Sequence, residues 1–364
     1  MKILFLHNIL WSPYRSIIFE KLYHSKEDIF VLHSAINEGS RMDYSKIDLD
    51  NFEYQYPYQV ICETNFENRN KIKILFSWIR TIIVKHPKIV VFTGYNEIFT
   101  LPVIFLCKLL SIKVAMYLEN GQIEKPINSF SIKHFYKSIV IKNTEGFICF
   151  GNKSIEFLYQ FKFKRKLKIG IGNTLGISDI PSNITRNNSK KLIFIGRLIK
   201  EKNFPLLLDI FEKLKKIDSE YNLKIIGSGP EEVNILKIIE KNKLLNVELV
   251  GAKENKEVLN LIQESQALIL SSNYEQWGLV ANEAIKFNIP VIITDNCGAA
   301  EDIIIDRING FIIRDKQFDE KELHTYLSNF PIDGTFNINN NKIFSLDFIL
   351  VTYQRLFKEL LINE

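Results

Sequence analysis

The sequence has few of the residues that bind metals or form covalent cross-links. Its four cysteines stand far apart, form no C-x-x-C pair and share no short spacing with its six histidines. This dispersion argues against a zinc site and against a disulfide framework. Cysteines without partners are typical of a reducing compartment, so we expect a cytoplasmic protein.

The sequence also lacks an apolar run long enough to cross a membrane. Residues 99–118 come nearest, but Lys108 and Lys113 interrupt them, whereas a spanning helix needs about 20 predominantly apolar residues. We predict a buried helix and a buried strand there. Residues 2–10 begin like a signal peptide, but no small-residue cleavage site follows them. They are predicted to form the first β-strand.

Acidic residues are scarce in the first half of the chain. Residues 1–172 carry 24 lysines and arginines against 15 acidic residues, a net of +9, whereas residues 173–364 carry 23 against 27, a net of −4. A basic half indicates an acidic partner, such as an anionic saccharide or the inner face of an anionic membrane, to which the protein would bind peripherally. A lysine-rich surface without a specific partner explains the charge equally well. No recognition motif accompanies the charge, so we expect no binding of nucleic acid.

The composition is that of a folded protein, with 46% hydrophobic and 24% charged residues among 364. At roughly 150 residues per domain, this length suggests two domains. Apolar runs alternate with helical patterns, which predicts parallel sheets with helices on both faces. We predict Rossmann-like domains at 1–175 and 191–344, a linker at 176–190, and a last helix within 345–364 that packs back on the first domain. The predicted strands are 3–7, 29–33, 89–93, 114–118, 146–150, 191–195, 223–226, 247–250, 267–270, 291–294 and 310–313, and the principal helices are 70–86, 205–217, 230–243 and 345–361.

Two turns in the second half follow predicted strands and lead into helices. The first contains Gly196, Arg197 and Lys202, and two cations with a glycine before a helix N-terminus suit a phosphate chain. A solvated charged turn is the alternative. The second contains Gly227 and Gly229, which permit either a close approach of two backbones or simply a tight turn.

The most informative loop follows the predicted strand 267–270. It contains Glu275, and Gly278 then opens a helix that is predicted to run to Phe287 and to carry Glu283. Both carboxylates therefore approach the C-terminal edge of a parallel sheet, where ligands of such folds bind. A carboxylate accepts two hydrogen bonds from the hydroxyls of a ribose or a sugar, and a helix N-terminus suits a diphosphate. Surface salt bridges made by the two acids are the alternative.

These residues resemble glycosyltransferase family 4 and its relatives. Glu275 and Glu283 have the E-x7-E spacing of that family, and the turn at 227–230 and the loop at 294–301 are similar to its loops. The resemblance covers nearly the whole chain and is most specific between residues 191 and 313. It implies the GT-B fold, in which two Rossmann-like domains face a central cleft and a C-terminal helix crosses back to the first domain.

The resemblance also implies a role for individual residues. Arg197 and Lys202 would meet the charge of the leaving diphosphate in place of a metal, and Glu275 would face the transferred sugar, so these three are the expected catalytic residues. Glu283 would hold the ribose hydroxyls. Retention at the anomeric carbon is implied as well, and no metal or other cofactor is expected beside the nucleotide-sugar substrate. The residues implied for donor binding are Gly196, Gly227, Gly251, Ala252, Lys253, Gly278, Leu279, Val280 and Glu283.

The first half departs from the pattern of the family. The loop after the first strand has no glycine where the family often has a Gly-Gly pair, and the strand before the acceptor cleft is followed by Glu119 where many members have a histidine. Tyr95, after another strand, is a further cleft candidate, with a helix-capping loop as the alternative. We expect Asn8, Arg15, Tyr95 and Glu119 to face the acceptor, a saccharide or a lipid-linked sugar.

Two further motifs are set aside. Asp48 and Asp50 resemble the metal-binding D-x-D of a different glycosyltransferase fold, but no apolar strand precedes them. Gly170 and Gly172 resemble a dinucleotide fingerprint but open no helix, so we predict a loop.

The expected function is that of a retaining glycosyltransferase in cell-surface polysaccharide synthesis, which takes its sugar from a nucleotide-diphospho-sugar. The alternatives are a nucleotide-sugar epimerase of the same fold, a non-catalytic nucleotide-sugar-binding protein and, because no fingerprint follows the first strand, a less well supported Rossmann dehydrogenase.

Overall fold

The structure is a computed structural model that describes residues 2–10, 12–37, 54–95, 97–119, 132–161, 168–171, 190–331 and 346–362. The chain divides into two compact units. The first comprises Met1–Gly176 together with Ile343–Glu364, and the second comprises Ile177–Lys342. Most of the predicted linker, at 176–189, lies outside the described residues, and so do Asp48, Asp50 and Gly172.

A seven-stranded parallel sheet forms the centre of the first unit. Its strands are β1 (Ile3–Ile9), β2 (Ile29–Ala35), β3 (Tyr58–Val60), β4 (Ile89–Phe92), β5 (Lys113–Leu118), β6 (Gly146–Cys149) and β7 (Lys168–Ile171). Their spatial order is β3-β2-β1-β4-β5-β6-β7. The chain thus adds β2 and β3 on one side of β1 and every later strand on the other, which is the winding of a Rossmann-like sheet.

Helices cover both faces of this sheet. They are α1 (Pro13–His24), α2 (Lys71–Lys85), α3 (Thr100–Leu109), α4 (Ile132–Lys142), α5 (Asn152–Tyr159) and, from the end of the chain, α12 (Leu346–Ile362). One core lies between the sheet and α2 to α5 and includes Trp78, Val103 and Phe157. The other lies beneath α1 and α12 and includes Phe19 and Tyr353. Because both faces are covered, the strands are nearly continuous apolar runs.

The sequence sets the position of α2 in two ways. The side chain of Asn70 accepts a hydrogen bond from the backbone N–H of Lys73 (3.0 Å), so it caps the first turn. Ile74, Trp78 and Ile82 recur every fourth residue and are the buried residues of the helix. This spacing puts them on one stripe, and α2 therefore lies with a single apolar side against the sheet.

The second unit is built on a six-stranded parallel sheet. Its strands are β8 (Lys191–Ile195), β9 (Asn222–Ile226), β10 (Val247–Gly251), β11 (Ala267–Leu270), β12 (Val291–Thr294) and β13 (Gly310–Ile313), in the order β10-β9-β8-β11-β12-β13. The direction of winding reverses between β8 and β11. The loops that follow these two strands therefore flank the crevice where ligands of such sheets bind. The helices are α6 (Phe204–Ile217), α7 (Glu232–Lys241), α8 (Asn255–Gln263), α9 (Leu279–Lys286), α10 (Ala300–Ile303) and α11 (Glu320–Asn329).

All eleven predicted strands are confirmed, each within two residues of its predicted ends. Two predictions were wrong. Gly170 lies in β7 and not in a loop, and it is buried beneath α12, where a Cβ built on it would stand at an ordinary 3.4 Å from Leu356 Cδ2. Pro230 was expected in the first turn of α7, but the helix begins two residues later, at Glu232.

Residues 99–118 form α3 and β5, as expected. Among the described residues, no helix combines the length and the apolarity that crossing a bilayer requires. Cys62, Cys107, Cys149 and Cys297 are buried free thiols.

Candidate functional site

An ion pair joins the two loops at the reversal point of the second sheet. The Nζ atom of Lys202, in the loop after β8, contacts Oε2 of Glu275, in the loop after β11. Both side chains are largely buried, with exposed fractions of 13% and 19%. Because these residues stand 73 positions apart in sequence, the order of the strands is what brings them together.

The glycines beside this pair are positions of close backbone approach. A Cβ on Gly227 would stand 1.9 Å from the carbonyl oxygen of Gly196, and one on Gly229 would stand 2.4 Å from that of Leu198. Both glycines have positive φ angles, of 139° and 155°. The turn after β9 therefore packs directly against the backbone of the turn after β8, and of the two interpretations of this motif, close approach is the one observed. The Lys202 ammonium lies in the same place, 3.8 Å from a Cβ built on Gly196.

The N-terminus of α9 opens beside Glu275. Gly278 precedes the helix in the left-handed conformation (φ 89°, ψ 63°), and a Cβ on it would stand 3.4 Å from Glu275 Cγ. Leu279 and Val280 form the first turn, where backbone N–H groups have no partner within the helix and the helix dipole is positive. Such an N-terminus can hold an anionic group. Glu283, one turn further on, is buried with an exposed fraction of 3%.

A second loop holds Glu275 in place, and the sequence did not single out its contacts. The backbone N–H of Gly298 donates to the Glu275 carbonyl (2.9 Å), and that of Ala299 donates to the Trp277 carbonyl (3.0 Å). Thr294 Oγ1 donates to the carbonyl of Ser272 (2.6 Å). The loop after β12 is therefore paired with the loop after β11 much as two strands pair, and this pairing fixes the position of Glu275.

The other predicted donor residues lie at the same edge of the sheet. The carbonyl of Gly251 accepts from the backbone N–H of Gly227 (2.9 Å), which places the end of β10 beside the glycine turn. Ala252 is exposed, and the Lys253 ammonium pairs with Glu257 of α8 (2.8 Å), so that side chain is turned to its own helix. Arg197 is exposed and stands five residues before Lys202.

In the first unit, Arg15 and Glu119 form an ion pair at the carboxyl edge of the sheet. The guanidinium carbon of Arg15 lies 4.0 Å from the ring centre of Tyr117 and 4.3 Å from that of Phe150, both cation–π distances. Arg15 is buried, and its Nη1 atom has no hydrogen-bond partner within the described part of the chain. Two of the four predicted acceptor residues are thus brought into direct contact.

The remaining two acceptor candidates are placed differently. Asn8 is half-buried on β1, and Tyr95 is buried in the core beneath α2 to α5. Near Tyr95, Glu97 pairs with Arg69, and its carbonyl accepts a hydrogen bond from the Tyr136 hydroxyl (2.8 Å). These contacts favour the structural interpretation of the loop after β4 over a role in ligand binding.

A buried histidine pair, not predicted from the sequence, lies on β1 and β2 of the first sheet. His7 and His33 face each other on β1 and β2, and their Nδ1 atoms lie 3.3 Å apart and 2.8 and 3.0 Å from the carbonyl of Ile9. Burial lowers the pKa of His33 to about 4 and holds that of His7 well below its usual value, so both rings are neutral at pH 7. The pair thus anchors the end of β1 by hydrogen bonds to Ile9.

Solved structures share this architecture over its whole length. The lipopolysaccharide outer core galactosyltransferase WaaB has a TM-score of 0.71 at 15% identity, with 99% of this chain and 100% of that one covered. Anabaena HepE in complex with UDP has a TM-score of 0.70, also at 15% identity and with the same coverage. At this identity the likeness concerns the fold alone. The chain has the GT-B fold, with two parallel sheets of the Rossmann type.

Residues 178–333 match the family model of glycosyl transferases group 1. The match covers nearly all of the second unit, including the Lys202–Glu275 pair and α9. An uncharacterized glycosyltransferase of Methanocaldococcus jannaschii is 27% identical over 327 residues, which are 82% of this chain and 75% of the relative. The chain spans between 30 and 46% of the length of the first five curated relatives that it matches.

Proposed function

We propose that this chain is a retaining glycosyltransferase of the family 4 type. It transfers a sugar from a nucleotide-diphospho-sugar to a saccharide or lipid-linked acceptor in the synthesis of a cell-surface polysaccharide. The observation that carries the proposal is the Lys202–Glu275 ion pair beside the glycine-opened N-terminus of α9, within the segment that matches glycosyl transferases group 1. The UDP bound to HepE and the lipopolysaccharide core acted on by WaaB support the donor and the acceptor classes.

The reaction breaks the bond between the anomeric carbon of the sugar and the diphosphate and forms a bond from that carbon to an acceptor hydroxyl oxygen, whose proton leaves with the nucleoside diphosphate. Negative charge then grows on the leaving phosphate while positive charge develops on the sugar ring. Lys202, Arg197 and the backbone N–H groups at the start of α9 are the fixed positive groups that would stabilise the phosphate. Glu275, held by its backbone bonds to the loop after β12, would face the sugar and accept hydrogen bonds from its hydroxyls.

The two carboxylates of the E-x7-E spacing are expected to act on different parts of the donor. Replacing Glu283 by alanine should weaken binding of the bare nucleoside diphosphate about tenfold or more, because a carboxylate that accepts two hydroxyl hydrogen bonds is lost. Replacing Glu275 by alanine should lower turnover of the nucleotide-sugar and leave binding of the bare nucleotide nearly unchanged. Calorimetric titration of the nucleotide and initial rates of transfer measure the two effects.

The control for both variants is Glu240→Ala, which removes an exposed carboxylate from α7 of the same unit. It should bind the nucleotide and turn over the nucleotide-sugar like the unsubstituted protein. Unchanged kinetics in both Glu275→Ala and Glu283→Ala would contradict the assignment of the donor site. The companion measurement is product analysis with the donor alone. An epimerised sugar formed without acceptor would show that the protein is an epimerase and not a transferase.

Transfer is expected to proceed without a divalent metal. The charge that a metal would supply is supplied here by Lys202, Arg197 and the α9 dipole. Within the described ranges, no three His, Cys, Asp or Glu side chains cluster closely enough to hold a metal. The measurement is the transfer rate of metal-stripped protein in excess chelator. Loss of activity that manganese or magnesium restores would overturn this mechanism and return attention to Asp48 and Asp50.

For the acceptor, we propose that Arg15 and Glu119 face the incoming saccharide. Their ion pair lies at the carboxyl edge of the first sheet, and the Glu119 side chain is 37% exposed, so its carboxylate remains open to a hydroxyl group. Contact with an anionic membrane, expected from the basic first half, stays a prediction.

A further inference from the structure

Three neighbouring helices of the first unit present apolar side chains to solvent. α3 packs between α2 and α4 on the same face of the sheet. We call their outward surface, together with Ile98 two residues before α3, the α2–α4 face. Its large apolar side chains are between 50 and 86% exposed, and they are Ile72, Phe76, Ile83, Val84, Ile98, Phe105, Leu109, Ile132 and Phe135.

The positions of these residues are set by the helical repeat. On α2, Ile72 and Phe76 lie two residues away from the buried Ile74 and Trp78, which turns them by about 200° to the opposite side of the helix. On α3, Phe105 and Leu109 stand four residues apart, which puts both on one outward side of the helix. Each helix is therefore apolar on two sides, although only one side packs on the sheet.

The charge of the α2–α4 face has one sign. The three helices contain eight lysines and arginines and no aspartate or glutamate. Two acids in the segments that flank α3 and α4 are engaged elsewhere. Glu97 pairs with Arg69, and Glu145 accepts a hydrogen bond from the backbone N–H of Val114 (2.8 Å). The basic residues of the three helices are Lys71, Lys73, Arg80, Lys85, Lys108, Lys133, Lys137 and Lys142.

We propose that the α2–α4 face docks on an anionic lipid bilayer. Exposed apolar patches of this extent mark docking surfaces. The pairing of apolar side chains with basic side chains alone is what a helix needs to lie in the headgroup region of anionic lipids. A second copy of this chain would bring the same positive charge to the contact and be repelled. The proposal rests on the first unit and is independent of the donor site in the second.

Flotation with vesicles of phosphatidylglycerol, compared with vesicles of phosphatidylcholine, tests the proposal. The full chain should float with the anionic vesicles, and the bound fraction should fall as salt is raised from 0.05 M to 0.5 M, because exposed charges are screened. The double variant Phe76→Ser/Leu109→Ser should weaken binding at least about tenfold, since two large apolar side chains no longer enter the lipid. The double variant Lys73→Glu/Arg80→Glu should weaken binding by a similar factor, because anionic lipid repels the reversed charges.

Matched controls lie in the second unit. Leu245→Ser removes a side chain that is 89% exposed, and Lys237→Glu reverses an exposed charge on α7. Both should bind the vesicles like the unsubstituted chain. Circular dichroism confirms that every variant is folded. Equal binding to neutral and anionic vesicles would overturn the proposal, and so would unchanged binding of the two double variants or a dimer in sedimentation that Phe76→Ser/Leu109→Ser abolishes.

Discussion

Replacing Lys202 by alanine is expected to lower the rate of transfer about a hundred- to a thousand-fold, the usual cost of losing one fixed group that stabilises charge in a transition state. Lys202 lies at the reversal point of the second sheet, and its ammonium is held against Glu275 and beside Gly196. Arg197→Ala should lose activity of the same order. The measurement is the initial rate at saturating donor, with thermal unfolding as the check that the variants fold.

The neighbouring Lys200 provides the matched control for this prediction. It is exposed in the same turn, two residues before Lys202, and Lys200→Ala should retain the full rate. A second comparison separates loss of the cation from the unpaired carboxylate that Lys202→Ala leaves behind. The single variant Glu275→Gln and the double variant Lys202→Ala/Glu275→Gln both lack the carboxylate, so they differ only in the cation. The double variant should be at least about a hundredfold slower than Glu275→Gln. Equal rates in these two variants would show that Lys202 only compensates the charge of Glu275.

Replacing Gly298 by alanine is expected to reduce transfer about a hundredfold by moving Glu275, because a displacement of about 1 Å in a catalytic group costs that much. The added Cβ would stand 1.9 Å from the carbonyl oxygen of Gln276 and 2.8 Å from its carbonyl carbon. The two loops must therefore separate, which weakens the hydrogen bonds from Gly298 to Glu275 and from Ala299 to Trp277. The free energy of unfolding should fall by about 1–3 kcal/mol, the range for overpacked sites.

Gly170→Ala is the control for a glycine without such a contact. Its added Cβ would meet no atom closer than Leu356 Cδ2 at 3.4 Å, an ordinary van der Waals distance. The rate of transfer should be unchanged and the stability nearly so. A Gly298→Ala protein that transfers sugar at the full rate would contradict the view that the loop after β12 positions Glu275.

Most of the fold could be predicted because the buried strands of parallel sheets are short, apolar and separated by helical patterns. The two additional strands lack that signal. β3 has only three residues, and Tyr58 and Gln59 are exposed, since it lies at the edge of the sheet. β7 contains Gly170, which has no side chain and contributes nothing to a hydrophobic pattern. The helix that covers this strand, α12, comes some 180 residues later in the chain.

The donor residues could be found one loop at a time, but their contacts could not. The pairing of Lys202 with Glu275 depends on β11 lying next to β8. The sequences of the two loops do not show which strands are neighbours in the sheet. The histidine pair did leave a signal. β1 and β2 each carry a histidine in their fifth position, and alignment of their first residues gives the register that places His7 opposite His33.

The position of α12 has a consequence for the synthesis of the protein on the ribosome. The second unit is a continuous stretch of chain and can fold as soon as it emerges, whereas the first needs α12, whose Tyr353, Phe357 and Leu360 complete one of its two cores. Between Ile171 and Leu346 lie 174 residues. At about 5–20 residues per second, their translation takes roughly 10 to 35 s. For that interval α1 alone covers this side of the nascent first sheet, and chaperones that bind nascent chains are expected to recognise the apolar part that α12 later covers.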